Sequence, residues 1–258
     1  FAEIVPASYG DIWLRDTGPI FSSHNRCNLF QFNGWGGKYV LDHDDAVGAF
    51  VAEQAGAQAI RHDKVLEGGA LDWDGEGAVL TTRECLLNPN RNGAMTEAQY
   101  ESFLRETLGI ARVIWIERGL LNDHTDGHVD NIARFIAPGV VVCQSPADNK
   151  DPNSERLQEI AMQLSGQRDA RGRLLQVIRI PSPGLVEDED GDPVPASHMN
   201  FLIGNSTVVV PTYGTPTAPK AVEALKPLFP GRNVVGLSAR HILTGGGAFH
   251  CITQQQPE

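Results

Sequence analysis

Apolar residues recur at helical spacing in four segments: Val47, Phe50 and Val51; Tyr100, Phe103, Leu104 and Leu108; Leu157, Ile160, Ala161 and Leu164; Ala221, Ala224, Leu225 and Leu228. Each stripe predicts an amphipathic helix that must bury one side. The predicted starts carry their own signals. Asp44 and Asp45 put acid in a first turn, Thr96 with Gln99 reads as a capping box, Asn153-Ser154 precedes the third stripe, and Thr217 with Pro219 the fourth. Gly56, Gly109, Gly166 and the Pro230-Gly231 pair stand where helices end, and Pro227 should stop the last one early.

A short β-type run follows every stripe: Gln58 to Arg61, Arg112 to Ile116, Leu174 to Ile180, and Asn233 to Leu237. A hairpin pattern precedes every stripe. Ala70 to Thr82 turns at Asp74-Gly75-Glu76-Gly77, Asn131 to Gln144 at Pro138-Gly139, and Phe201 to Pro211 at Gly204-Asn205; Pro19 to Phe32 is a poorer fourth. The chain thus reads as hairpin, helix, strand, four times over, with helix starts roughly 50 to 65 residues apart. A fifth hairpin is expected to open at Ala248 to Thr253, and residues 1 to 5 look like a closing strand without its module. The fold class expected from this pattern is α/β, a ring of five ββαβ modules with the N-terminal part of one module apparently missing.

Composition narrows the function. With 41% hydrophobic and 21% charged residues in 258, the chain has the make-up of a folded protein rather than of a disordered or collagen-like one. Its net charge of −11, without a basic run, disfavours nucleic acid and anionic membranes and suits a cationic partner. Apolar runs such as Gly139 to Cys143 are strand-sized, so no membrane span is expected. Cys27, Cys85, Cys143 and Cys251 form no C-x-x-C pair, which points to a reducing compartment and a cytoplasmic location. The acidic stretch Val186 to Asp192 reads as a solvated loop. No leader segment opens the chain, and a start at Phe1 leads us to expect further N-terminal sequence.

Suspicious polar residues fall at one recurrent place, between a closing strand and the next hairpin. Asp16 precedes the first hairpin, Glu67 the second, His128 and Asp130 the third, while Cys251 stands at the fifth; the fourth junction offers His198, Met199 and Asn200. Modules arranged in a ring would bring these positions together. Taken singly, Asp16 could equally pair with Arg15 or cap a turn, and Glu67 could be a turn glutamate. On an extended chain His128 and Asp130 would share a face. His124, His128 and Asp130 also admit a metal reading, weakened by the lack of a helix to join the two histidines. Gly245 to Gly247 before Cys251 lack the Lys and Ser or Thr of a phosphate loop, so they are expected to clear space for a substrate. Cys27, Cys85 and Cys143, in β-type runs, are expected to be inert core residues.

Carboxylates around a thiol raise its pKa by repulsion, a poor setting for a nucleophile unless the substrate is a cation. A guanidinium resolves the conflict. It is planar and permanently charged, carboxylates match it in bidentate geometry, and once bound it stabilises a thiolate facing its central carbon.

The blocks WLRDTGP, LEGGALDWDGEGAVLTTRECLLNPNRN, NDHTDGHVDN, MNFLIGNSTVVVPTYG and GGGAFHCITQQQP resemble the signature blocks of the agmatine deiminases, relatives of the bacterial peptidylarginine deiminases in the guanidino-group-modifying superfamily. They run in family order from residue 11 to 257. The resemblance implies a pentein, a five-bladed α/β propeller with pseudo-fivefold symmetry, and a single catalytic domain over residues 1–258. It implies hydrolysis of agmatine to N-carbamoylputrescine and ammonia, in polyamine biosynthesis from arginine, with neither metal nor organic cofactor. By motif, Cys251 is the nucleophile that forms an amidino-thioether and His128 the general acid and base. Asp16, Asp130 and Glu67 would bind the guanidinium, Glu67 would also orient His128, Trp13 would line the alkyl chain, and Gly247 would lie beside the substrate. Alternatives keep the fold and change the substrate to peptidyl-arginine or free arginine, or make the chain a non-catalytic binding protein. Asp11 and the 121–126 loop are candidates for the substrate's amine end. The same resemblance leaves room for a homodimer or higher homo-oligomer.

Overall fold

The computed structural model describes residues 2–257. In the first module, β1 (Ile20–Ser23) and β2 (Arg26–Gln31) are antiparallel, the chain crosses through the helix Asp44–Gln54, and β3 (Gln58–Val65) returns parallel to β2. The second repeats this with β4 (Asp72–Trp73), β5 (Ala78–Thr82), the helix Glu97–Leu108 and β6 (Arg112–Ile116). The third uses β7 (Ala133–Ala137), β8 (Val140–Ser145), the helix Ser154–Leu164 and β9 (Gln176–Pro181). The fourth uses β10 (Leu202–Ile203), β11 (Thr207–Thr212), the helix Ala218–Leu225 and β12 (Asn233–Ser238). Connectivity dictates the geometry: a tight turn gives antiparallel strands, whereas a parallel partner requires a crossover, here the helix. Each sheet has three strands with the middle one shared.

The helix boundaries follow local chemistry. Both bonds of the Thr96–Gln99 capping box are present, and Gly109 closes that helix at φ 71°. Pro227 lies in a 3-10 turn, Lys226–Leu228, that ends the last helix. Asn153 does not cap its helix; its Oδ1 accepts the Leu121 N–H at 2.7 Å instead.

Three of the helices sit between their own sheet and the preceding one. Leu157, Ile160 and Leu164 pack with Leu80 and Ile114 as well as Val141. Tyr100 and Leu104 pack with Val79, Val113 and Ile20, and Phe103 meets Phe30 edge-on. Ala221 and Leu225 join Val208 and Val234 to Val142 and Ile180. A three-stranded sheet alone is marginal, so each module depends on its neighbour's apolar face.

Two expectations are corrected. Residues 2–5 form no strand and are exposed, Ile4 by 91%; Phe1 lies outside the described residues. Ala248–Thr253 form turns instead of a hairpin, because the backbone N–H groups of Ile252 and Thr253 bond to Ala248 and His250 carbonyls, and that of His250 to Asn200. Among the described residues no helix is long and apolar enough to cross a membrane.

Candidate active site

All the singled-out junction residues lie on short turns between modules. Asp16 sits in the one-turn helix Leu14–Thr17, which the Gly18-Pro19 break stops. Asp16 does not pair with Arg15. Its Oδ2 accepts the Trp35 indole N–H and its Oδ1 the Gly69 backbone N–H, both at 2.9 Å, while Arg15 turns to Gln254, Gln255 and the His250 carbonyl. Glu67 precedes the 3-10 turn Gly68–Ala70, and His128 precedes a second such turn, Val129–Asn131, that carries Asp130. The extended chain expected at His128 and Asp130 is thus replaced by a turn, closed by the Ile132 N–H on the Val129 carbonyl at 2.9 Å.

The turns converge. Cys251 Sγ lies 3.5 Å from Asp130 Oδ2, and His128 Nδ1 lies 3.8 Å from Asp16 Oδ1. Gly69 permits this approach: a Cβ there would stand 2.6 Å from His128 Nδ1 and 2.8 Å from Asp16 Oδ1. Gly247 does the same on the other side, where a Cβ would meet the Trp13 ring at 2.5 Å and Cys251 Sγ at 3.1 Å. A cavity of about 180 Å³ opens over the thiol, lined by Asp11, Trp13, Asp16, Trp35, Gly247 and Cys251 among others.

Burial and charge set the protonation states. Burial first, then the charges of Asp130 and Asp16, push the Cys251 thiol well up. Burial, reinforced by Asp16 and opposed by His128 and Arg134, lifts Asp130 to about 7. Burial would lower His128, but Asp16, Cys85 and Glu67 outweigh it and hold the imidazole well above its ordinary value. His250 is driven well down by burial and by Arg134 and Arg15; its Nδ1 lies 2.7 Å from Asp130 Oδ2. Acidic groups whose charged forms are disfavoured by burial and by one another are suited to a cation, which would favour those charged forms.

Glu67 differs most from expectation. Its Oε1 accepts from Arg91 Nε at 2.6 Å, both side chains wholly buried, and the same guanidinium reaches Asp126 Oδ2 at 2.6 Å and the Thr125 carbonyl at 2.9 Å. Glu67 Oε2 and both His128 ring nitrogens are buried without a hydrogen-bond partner. Among the described residues, Glu67, Cys85 and His128 form the one cluster able to hold a metal ion, their ligand atoms within 4.8 Å of one another. The metal reading through His124 fails, since that ring stacks on Tyr39 and its Nδ1 meets the Tyr39 hydroxyl at 3.0 Å. Cys27 and Cys143 lie in strands as expected, whereas Cys85 lies on the short helix Arg83–Leu86, facing the site.

Sequence reasoning missed Trp35, Arg91 and His250. Trp35 had a signal, a bulky ring flanked by Gly34, Gly36 and Gly37, the same device as Gly245 to Gly247. Arg91 and His250 gave none, because their partners lie 24 and 120 residues away.

A model of the family described as Porphyromonas-type peptidyl-arginine deiminase matches residues 1–257. The chain belongs to that family. It is 41% identical to the agmatine deiminase of Stutzerimonas stutzeri over 282 residues, an alignment covering 99% of this chain and 77% of that protein. The solved agmatine deiminase of Enterococcus faecalis is similar at 36% identity and TM-score 0.89, over 95% of this chain and 74% of that one. A dimethylarginine dimethylaminohydrolase, 13% identical with TM-score 0.51 over 93% of this chain and 76% of that one, shares the fold alone. The fold is therefore mixed α/β, as in agmatine deiminase and pentein-type structures.

Proposed function

We propose that this chain hydrolyses agmatine to N-carbamoylputrescine and ammonia through an amidino-cysteine intermediate. The observation that carries the reading is the convergence of three junctions: Cys251 and Asp16 line the cavity, and the third junction brings Asp130 to the sulfur and His128 to Asp16. Asp16 and Asp130 bind the guanidinium nitrogens, and Glu67 contributes through Oε2 while Arg91 holds Oε1 and fixes the carboxylate beside His128. The bound cation offsets the acids, so the Cys251 thiol gives up its proton to solvent and the thiolate attacks the central carbon. His128, held protonated by its acidic neighbours, gives its proton to the departing ammonia and then takes one from the water that cleaves the thioether. Collapse of that adduct forms the ureido product and returns the thiolate. Trp13 and Trp35 wall the alkyl chain, and Gly247 leaves room beside the sulfur.

Agmatine is favoured over free arginine by charge. The described lining holds Asp11 and Asp16 but no Lys or Arg to receive an α-carboxylate, and nearby Lys38 is bound to Asp126 and the His124 carbonyl. We further infer that residues 1–258 form one catalytic domain and that the four modules belong to a five-module propeller. Assaying ureido product from agmatine, arginine and a peptidyl-arginine side by side tests the substrate; preference for either of the last two overturns it. Cys251→Ala should abolish ammonia release, and measurable turnover would remove Cys251 from the mechanism.

A further inference from the structure

Next to the cavity, but not in its lining, stand three side chains of metal-ligand type. Glu67, Cys85 and His128 are wholly buried, and one ligand atom from each lies within 4.8 Å of the other two, the one such cluster among the described residues. Three of their polar atoms, Glu67 Oε2 and both His128 ring nitrogens, have no hydrogen-bond partner. The frame around them is well tied. Thr82 Oγ1 accepts the Cys85 backbone N–H at 3.2 Å and donates to the Gly127 carbonyl at 2.7 Å, which joins the helix of the cysteine to the turn of the histidine. Arg91 joins the glutamate to that same turn, since it holds Glu67 Oε1 at 2.6 Å and the Thr125 carbonyl at 2.9 Å. One carboxylate oxygen is thereby fixed and the other left free, as in a carboxylate ligand oriented by a neighbouring donor.

We propose that Glu67, Cys85 and His128 form a binding site for a thiophilic divalent transition-metal ion of the Zn²⁺ type, and that an ion held there inhibits the enzyme. The inhibition rests on the reading of Glu67 and His128 as groups that act on the substrate; the binding does not. A carboxylate oxygen, a thiolate and an imidazole together select Zn²⁺ or Co²⁺ over Mg²⁺ and Ca²⁺, which want oxygen alone. With zinc bonds of about 2.0 to 2.3 Å, the ligand atoms of a tetrahedral site stand roughly 3.3 to 3.8 Å apart. The cluster therefore needs to close by little more than about 1 Å. Cys85 and His128 release their protons to solvent as the ion binds. Charge favours that exchange: Arg91 is divided between Glu67 and Asp126, and Asp16 Oδ1 lies 3.8 Å from His128 Nδ1, so the ion meets a negative excess. Its way in is the substrate's, through the cavity that Asp16 lines. Once seated, the ion withholds Glu67 Oε2 from the guanidinium and the imidazole from proton transfer, so ion and agmatine exclude each other.

The test uses the whole chain, with Co²⁺ as the spectroscopic probe and Zn²⁺ as its competitor. Cys251→Ala is the starting form, so that the nucleophile contributes no sulfur. Stoichiometric Co²⁺ should raise a near-ultraviolet sulfur-to-cobalt charge-transfer band, and Zn²⁺ should abolish it. Adding Cys85→Ser should remove the band and weaken Zn²⁺ binding at least about tenfold. Absence of the band in Cys251→Ala overturns the proposal outright, even where the double variant fails to fold, and so does a band that survives Cys85→Ser. In the chain that keeps Cys251, Zn²⁺ should inhibit turnover in competition with agmatine. Cys85→Ser, compared with its own metal-free rate, should need at least about tenfold more Zn²⁺ for the same inhibition, and an unchanged requirement overturns the inhibitory role. The band is read without substrate, so its failure leaves the agmatine reading standing, whereas turnover by Cys251→Ala would sink that reading and leave the metal site intact.

Discussion

Asp130 shows how a single buried carboxylate links fold, pH and binding. Its pKa rises from 3.8 to about 7 on folding. An acid raised in this way favours the folded state below its unfolded value, and the contribution is lost as pH climbs through about 7. A guanidinium reverses the preference by welcoming the charge. Affinity for agmatine should therefore increase as pH rises through this range, with proton release on binding. Calorimetry at pH 6.5 in two buffers of different ionisation enthalpy reads that release directly, and identical heats would refute it. Asp130→Asn, neutral throughout, should melt higher than the parent above pH 7 while losing activity. Gly69 makes a second point at this scale. Gly69→Ala places a methyl 2.6 Å from His128 Nδ1, so turnover should drop at least about a hundredfold with the circular dichroism spectrum retained.

The long elements and the short ones differ in how far the sequence announces them. The helices at Asp44–Gln54, Glu97–Leu108, Ser154–Leu164 and Ala218–Leu225 were legible because apolar residues at helical spacing, together with start signals such as the Thr96–Gln99 capping box, make a local pattern. Leu14–Thr17, Gly68–Ala70 and Val129–Asn131 are single turns, too short for any period, yet they carry Asp16, follow Glu67 and hold Asp130. The site residues were found by residue type, motif and repeat position. The partnerships between Trp35 and Asp16, Arg91 and Glu67, and Asn200 and Cys251 are tertiary and left no trace in local pattern. The two classes should respond differently to mutation. Thr96→Ala removes the capping bond of a remote helix and should cost about 1 kcal/mol of stability without altering kcat/KM. Arg91→Met strands buried Glu67 and should cost about 3 to 5 kcal/mol together with activity, as urea unfolding and turnover measured on one preparation will tell.

Across the molecule, helices wedged between successive sheets make each module part of its neighbour's core. Trp13 and Trp35 lie at the cavity whereas Trp73 and Trp115 belong to the second module, so their fluorescence should change in one urea transition that coincides with loss of activity. Separate transitions would show that the modules unfold independently. The exposed acidic stretch Asp188–Asp192 lies after Asp16, Glu67, His128 and Asp130 in the chain but before Asn200 and Cys251. Expressed as two polypeptides divided there, the protein would carry its proton-transfer machinery on one piece and its nucleophile on the other. Each piece should be silent by itself, and ammonia production in cells supplied with both would report their reunion, a complementation readout built from the enzyme's own division of labour.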